Sequence, residues 1–387
     1  MSNENNLNNF YENQNISESK PVRYCIDNHY IDGDYNDFIH FNYNQLKTLL
    51  NLKMIDDYPC YFIEYKGGYY FEDFLKVGAS SLEEQFNFLD KKNLYPPEYI
   101  KNKNIYTSGC TCFYGKNEEG EYLYGFNHDW EDTSGLLLYT NPPCAYASLS
   151  MVAIPNLGYY GKMLPSCLWD RRHLLTTPYF PNDGVNECGV AMALLKVPYS
   201  RSPEDPSKVS ILFTSAIRLV LDYAKNLNEA IELLKQFNIK PITLANGKLV
   251  QVHYLISDAL GDSAIIEFVD GEMKVIRDTE IWQAVTNFNI YKYKHGEGVE
   301  GTGIDRYQLA CDILRSKNGI VTINEALNIL NSVKGPTAND FKASIASNNK
   351  IHQTCWSCVY NLSEINLNLV LGTKFGKVIK MNILQNS

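Results

Sequence analysis

The sequence predicts a layered α+β domain, and three observations carry that prediction. Strand-like and helix-like runs come in blocks, in the order strands, helices, strands, helices, strands, which is the pattern of helices covering sheets. Turn residues punctuate the strand-like blocks as they do in meanders. The composition, 45% hydrophobic and 20% charged over 387 residues, is that of a globular chain able to bury a large core.

The elements follow in order. Residues 1–20 are Asn-rich and carry almost nothing apolar, so a disordered lead is expected there. From 24 to 106 the chain is Tyr-rich, with helices predicted around 38–52 and 81–89. Runs 110–115 and 121–130 read as strands joined by Asn117, Glu118, Glu119 and Gly120, whose turn chemistry predicts a hairpin. Strands follow at 136–140, 145–154 and 189–196. The period then changes. Residues 209–223 carry apolar side chains at helical spacing, and Asn228 is placed to cap a second helix with Ile231, Leu234 and Phe237 on one face. Strands return at 250–256, 264–269 and 273–276, with turns at Gly261 and Asp270-Gly271, and 285–287 is a short strand end. Helices at about 305–315 and 324–333 end near Gly319 and Gly335, as helices commonly do. Strands at 353–359, 366–372 and 378–384 close the chain. Gly301-Thr302-Gly303 lacks the third glycine and the preceding strand of a dinucleotide loop, so it reads as an ordinary loop, and no cofactor is expected.

Composition excludes several classes. Lys+Arg of 35 against Asp+Glu of 44 gives a net charge of -9 with no basic run, so nucleic acid is not expected as a partner. The longest apolar stretches, 149–155 and 263–269, are far shorter than the roughly 20 residues of a membrane helix, and no span is expected. The first residues show no basic-then-apolar signal pattern, which makes a cytoplasmic setting the expectation. The ten cysteines then read as reduced thiols. Cys25, Cys60, Cys144, Cys167, Cys188 and Cys311 stand alone and read as small buried hydrophobes. Cys110 and Cys112 are one residue apart, closer than a zinc hook, and Cys355 and Cys358 sit in a strand-like run, away from the strand-to-helix junction that redox motifs use. A metal or redox module on these four is the weaker alternative, and no metal is expected.

The informative stretch is 107–130, TSGCTCFYGKNEEGEYLYGFNHDW. A small residue, Gly109, precedes a cysteine that opens a strand, and the returning strand puts Asn127 and Asp129 on one face by its period of two. A cut before Cys110 would free an α-amine titrating near 8, able to take the proton from the adjacent thiol. None of the seven histidines lies in a motif pointing to Cys110. A hairpin with a structural cysteine is the competing reading of the residues alone.

This stretch resembles the nucleophile hairpin of the N-terminal-nucleophile (Ntn) hydrolases, in the group of choloylglycine hydrolase, acid ceramidase and isopenicillin N acyltransferase. Their pattern is a Cys-Thr pair, a strand, a glycine turn and a returning strand ending Gly-x-Asn-x-Asp. Here that is Cys110-Thr111, Gly120, then Gly125-Phe126-Asn127-His128-Asp129. Further matches follow in order: Asp183 to Val190, His253 to Asp258 with Gly261 and Glu267, Val285-Thr286-Asn287, Arg306, and Thr354 to Cys358.

The resemblance implies a four-layer αββα sandwich and cleavage or acyl transfer at a linear amide of a small N-acyl substrate. It implies that Cys110 is the nucleophile and its own α-amine the base, freed by autocleavage between Gly109 and Cys110. Asp129 would hold that amine, Asn287 would stabilise the oxyanion through its side-chain amide, and Arg306 would favour the thiolate. Residues 1–109 would be a propeptide or small subunit that stays associated, and 110–387 the catalytic domain. Two residues depart from the pattern. Phe126 stands where choloylglycine hydrolases and ceramidases carry Arg, and Lys196 where bile-salt enzymes carry a second Asn. Phe126 is expected to wall an apolar acyl pocket. Lys196 is expected either to meet a substrate carboxylate or to face solvent. An inert binding protein on the same fold, with Cys110 internal, is the alternative. The acyl group, the amine, hydrolysis against transfer, and homo-oligomer formation are left open by the sequence.

Overall fold

Side chains alternate along each strand, and that alternation sorts the core into three compartments. In the strand Cys60–Tyr65, Cys60 and Phe62 point one way and Tyr61, Ile63 and Tyr65 the other. In Gly135–Thr140, Leu137 and Tyr139 oppose Leu136 and Leu138 in the same manner. The first compartment lies between a large sheet and the helices Phe213–Tyr223 and Leu227–Lys235, the second between two sheets, and the third between a smaller sheet and the helices Ile304–Ser316 and Ile323–Ser332. Three compartments require four layers, helix, sheet, sheet, helix, as expected. The structure, a computed structural model, describes residues 22–26, 29–33, 40–97, 109–130, 134–159, 167–243, 247–335 and 353–383. The disordered lead expected over 1–20 lies outside them.

Among the described residues the large sheet has ten strands and the small one six. The small sheet runs Gln283–Val285, Gly109–Lys116, Tyr122–Trp130, Gln353–Asn361, Asn366–Leu371, Ile379–Asn382, antiparallel throughout. The large sheet places Ala191–Val197 near its middle and ends at Lys53–Asp56. There Cys60–Tyr65 pairs in parallel with Gly135–Thr140, so chain from both sides of position 109 is woven into one sheet. A buried polar knot reinforces the seam. Arg218, fully buried, donates to Pro178 O, Thr140 Oγ1, Ser148 Oγ and Ser150 Oγ and pairs with Asp222 at 3.1 Å, while Tyr69 donates its hydroxyl to the same carboxylate at 2.7 Å. Each charge in that knot has its partner, which is the condition for burying it.

Several elements differ from the sequence reading. The run 209–223 begins as the short strand Ser210–Leu212, paired in parallel with Asn238–Lys240, and becomes helical only at Phe213. Asn226, not Asn228, caps the next helix, because its side chain accepts from Glu229 N at 2.9 Å; the Asn228 side-chain Oδ1 instead accepts from Arg277. Pro181–Asn186 is a strand despite its Pro, Asn and Gly, with the proline at the first position, where it removes no interior ladder bond.

Candidate active site

The hairpin Gly109–Lys116 with Tyr122–Trp130 sets Cys110 opposite His128, Cys112 opposite Phe126 and Gly109 opposite Asp129. Cys110, Cys112 and Phe126 therefore face the layer between the sheets, whereas Thr111, Asn127 and Asp129 face the helices beyond. The nucleophile candidate thus has its thiol on one side of the strand and its polar supports on the other.

Those supports converge from four elements. Arg306, in the first turn of Ile304–Ser316, donates to Cys110 O at 2.7 Å, Thr111 Oγ1 at 3.0 Å and Asn287 Oδ1 at 3.0 Å, and lies 3.5 Å from Asp129 Oδ2. Asn287 Oδ1 accepts the Cys110 N–H at 2.6 Å. Asp129 Oδ1 accepts from Thr354 Oγ1 at 2.6 Å, and Thr354 in turn accepts the Gly335 N–H at 3.0 Å. Cys110, Asp129, Asn287 and Arg306, named from the sequence, are thus brought together and buried.

Glycines make room for this convergence. A Cβ on Gly109 would stand 2.9 Å from Arg306 Nη2 and 3.2 Å from Asp129 Oδ2. Gly303, at φ 81°, caps the Arg306 helix in the left-handed region, and a Cβ there would meet Arg306 Nη2 at 2.6 Å. Read as an ordinary loop, Gly301-Thr302 instead pairs with Asn287-Phe288 and carries the site's edge. The backbone around Asn287 is pinned from behind as well. His253 sets Nδ1 2.7 Å from Glu267 Oε1 and Nε2 2.7 Å from Thr286 O, and Glu267 also accepts the N–H groups of Ile290 and Tyr291.

Three features of the geometry bear on the expected roles. Burial pushes the Cys110 thiol up to about 12, with the Asp129 charge adding to it; the Asp129 backbone N–H and Arg306 pull downward and are outweighed, so Arg306 does not make a thiolate of the uncut chain. Asn287 shows Cys110 its oxygen, and its Nδ2, expected at the oxyanion, donates to Lys196 O at 2.9 Å. Lys196 meets the site through that carbonyl. On its strand Ala191, Ala193 and Leu195 face the inter-sheet layer and Met192 and Leu194 the helices, which puts the half-buried Lys196 on the helix-facing side. Burial, with Lys248 nearby, pushes its ammonium down to about 8, and the Cys110 thiol is close enough to pull it back up.

Phe126 is fully buried in the inter-sheet layer. The cysteines of the metal or redox reading are spread out: Phe126 lies between Cys112 and Cys358 in the sheet, and Cys355 occupies a bulge. Among the described residues no group of three or more His, Cys, Asp or Glu could hold a metal, and the cysteines from Cys60 to Cys358 are free thiols. The sequence reading missed His128. Counting outward from the turn in which Asn117 N–H meets Glu121 O would have placed it opposite Cys110.

A comparison with known proteins starts at the residue this geometry singles out. Residues 110–298 match the family described as linear amide C–N hydrolases, choloylglycine hydrolase family, so the match opens on Cys110. A penicillin V acylase of Pectobacterium atrosepticum is 31% identical over 167 residues, 41% of this chain, and the chain spans 43% of that relative's length. Among solved structures, a variant of the conjugated bile acid hydrolase from Clostridium perfringens superposes with a TM-score of 0.54 at 18% identity, covering 72% of this chain and 94% of that one. A second mutant of the same enzyme gives 0.53 at 17%, covering 72% and 93%. At such identity the likeness is one of fold, that of the Ntn hydrolases. The matched stretch carries all of the converging residues except Arg306, Gly335 and Thr354, which lie beyond position 298.

Proposed function

We propose that this chain is a cysteine Ntn hydrolase that cuts itself at Gly109–Cys110 and then cleaves, or transfers acyl groups from, linear amides. The observation that carries the reading is the Cys110 nitrogen held by Asn287 Oδ1 at 2.6 Å beside the Arg306–Asp129 pair. After a cut, that nitrogen is the α-amine, already seated in a cradle of acceptors. With the thiol pushed up to about 12, the uncut chain is a poor nucleophile toward other molecules, and cleavage supplies the missing base.

Maturation begins when Cys110 Sγ adds to the Gly109 carbonyl carbon. The carbon–nitrogen bond breaks as the nitrogen takes the thiol proton, leaving a thioester that water hydrolyses. In turnover the α-amine accepts the thiol proton, Sγ attacks the substrate carbonyl, and the proton passes to the leaving amine. Asp129 holds the amine by a charge-assisted hydrogen bond, and Arg306 fixes the Cys110 carbonyl. Asn287 Nδ2, once released from Lys196 O, serves the oxyanion, where losing one donor costs on the order of a hundredfold.

The substrate is a linear N-acyl amide with an apolar acyl group against Phe126, where each buried methylene contributes about 0.8 kcal/mol. Medium-chain N-acyl amino acids are accordingly preferred to taurocholate. The free state of the described thiols suits a reducing compartment, the cytoplasm; among the described residues no helix is long and apolar enough to cross a membrane. Intact mass spectrometry tests maturation: fragments of about 12 and about 32 kDa are expected, in proportion to chain length. Cys110→Ala stays whole and inert, while Cys112→Ala is cut and active. A chain that remains whole after prolonged incubation, or a dead Cys112→Ala beside an active Cys110→Ala, overturns the assignment.

A further inference from the structure

Directly across the hairpin from Cys110 stands an imidazole that neither maturation nor turnover uses. His128 and Cys110 are register partners, which places their Cβ atoms about 5 Å apart on one face of the sheet. The ring lies flat on Trp356, 3.9 Å between centroids at 10°, and Phe126 closes from the side at 6.3 Å. The residue is 3% exposed, and neither ring nitrogen has a hydrogen-bond partner among the described residues. Its ring face is taken by Trp356, so what remains unused is the polar edge. Burial holds the ring neutral, pushed down to about 3, so it carries one N–H donor and one lone-pair acceptor and is a poor proton acceptor for the thiol. A buried polar edge left without a partner is costly and is the kind of group a ligand completes.

We propose that His128 is a specificity-determining residue that hydrogen-bonds a hydroxyl or keto oxygen on the α or β carbon of the acyl group. The inference rests on the amide-hydrolase reading. In the thioester the acyl carbonyl carbon is bonded to Cys110 Sγ, and an acyl chain entering the inter-sheet layer passes the face shared by Phe126, His128 and Trp356. The first carbons beyond the carbonyl fall beside the imidazole edge. Those farther along meet Phe126 and the indole. The site therefore selects an apolar chain with one oxygen close to the scissile amide. A pocket built around a hydrogen-bonding group rejects the analogue lacking that group far more strongly than it senses a missing methylene.

The test is a matched pair on the cleaved full-length protein: the N-decanoyl and N-(β-hydroxydecanoyl) derivatives of one amino acid, with the α-hydroxy compound alongside. At least one oxygenated substrate is expected to exceed the plain one in kcat/KM by about tenfold or more. His128→Phe keeps a ring on Trp356 and loses both nitrogens, so the ratio should fall to near one. His128→Gln, which restores a donor and an acceptor, should recover part of it. A purely structural histidine would lower both substrates alike and leave the ratio in place, which would overturn the inference. Equal turnover of the pair by the unmodified protein overturns it without any variant, with the amide-hydrolase reading intact. Cleaved protein that turns over neither compound overturns both.

Discussion

Replacing Arg306 by Met tests how the site is held together. Arg306 and Asp129 are 2% and 1% exposed as side chains and 3.5 Å apart, so neither charge can be solvated once the other is gone. Arg306→Met matches the volume but strips the donors from Cys110 O, Thr111 Oγ1 and Asn287 Oδ1 and strands the Asp129 carboxylate. Breaking a buried pair by removing one partner costs about 3–5 kcal/mol. Asp129→Asn alone should cost less, because Arg306 keeps three oxygen acceptors. In the double variant no charge is stranded, so the losses should fall short of additive by about 2 kcal/mol. Urea unfolding followed by tryptophan fluorescence reads this out, in a Cys110→Ala background so that one intact chain unfolds. Added salt should not rescue Arg306→Met, since screening does not reach a buried pair. A single-variant cost below about 1 kcal/mol, or strict additivity, would refute the claim that this pair organises the nucleophile.

The two pieces of the cut chain should elute together in size-exclusion chromatography under native conditions, since Cys60–Tyr65 lies in the large sheet and Tyr69 bonds Asp222; separate elution would contradict that seam. Asp183, fully buried in the large sheet, has its carboxyl pushed up to about 7 by burial, against weaker pulls from Trp356, Cys358 and the Met151 backbone. A folded value above the unfolded one means the folded state binds the extra proton, so stability should fall between about pH 4 and about pH 7. Asp183→Asn should flatten that stretch of the profile in chemical denaturation, and an unchanged slope would show that the group does not titrate as its surroundings dictate.

What the sequence revealed was what repeats locally. The hairpin is marked by the turn residues Asn117 and Gly120 between its arms, and Ile231 and Leu234 share a helical face, so both elements could be found without partners. Cys60–Tyr65 could not be found this way. Five of its six residues are buried, leaving no polar alternation, and its parallel partner lies beyond the hairpin. Asn226 against Asn228 was decidable, because a cap wants an acid three residues on and Glu229 stands there. Asn287 and Arg306 were legible as members of an ordered motif set. Their hydrogen-bond directions were not, since Asn287 Nδ2 turns to the backbone of Lys196, which no spacing rule anticipates. Nor could the sequence weigh the pull of Arg306 on the thiol against desolvation, because that balance depends on how completely two sheets close over Cys110.

The parallel seam between Cys60–Tyr65 and Gly135–Thr140 has a kinetic consequence. In one uncut polypeptide, forming it is a loop closure, with a cost that grows only slowly with loop length. Once the bond before Cys110 is broken, the same pairing becomes an encounter between two molecules and loses the millimolar effective concentration that a tether supplies. Unfolding a mature molecule would then be easily reversed only at high protein concentration, and its apparent melting point would depend on dilution. On the proposed cut, the covalent link would serve the assembly of the sandwich and not its upkeep, and synthesis as one chain would act as a folding aid.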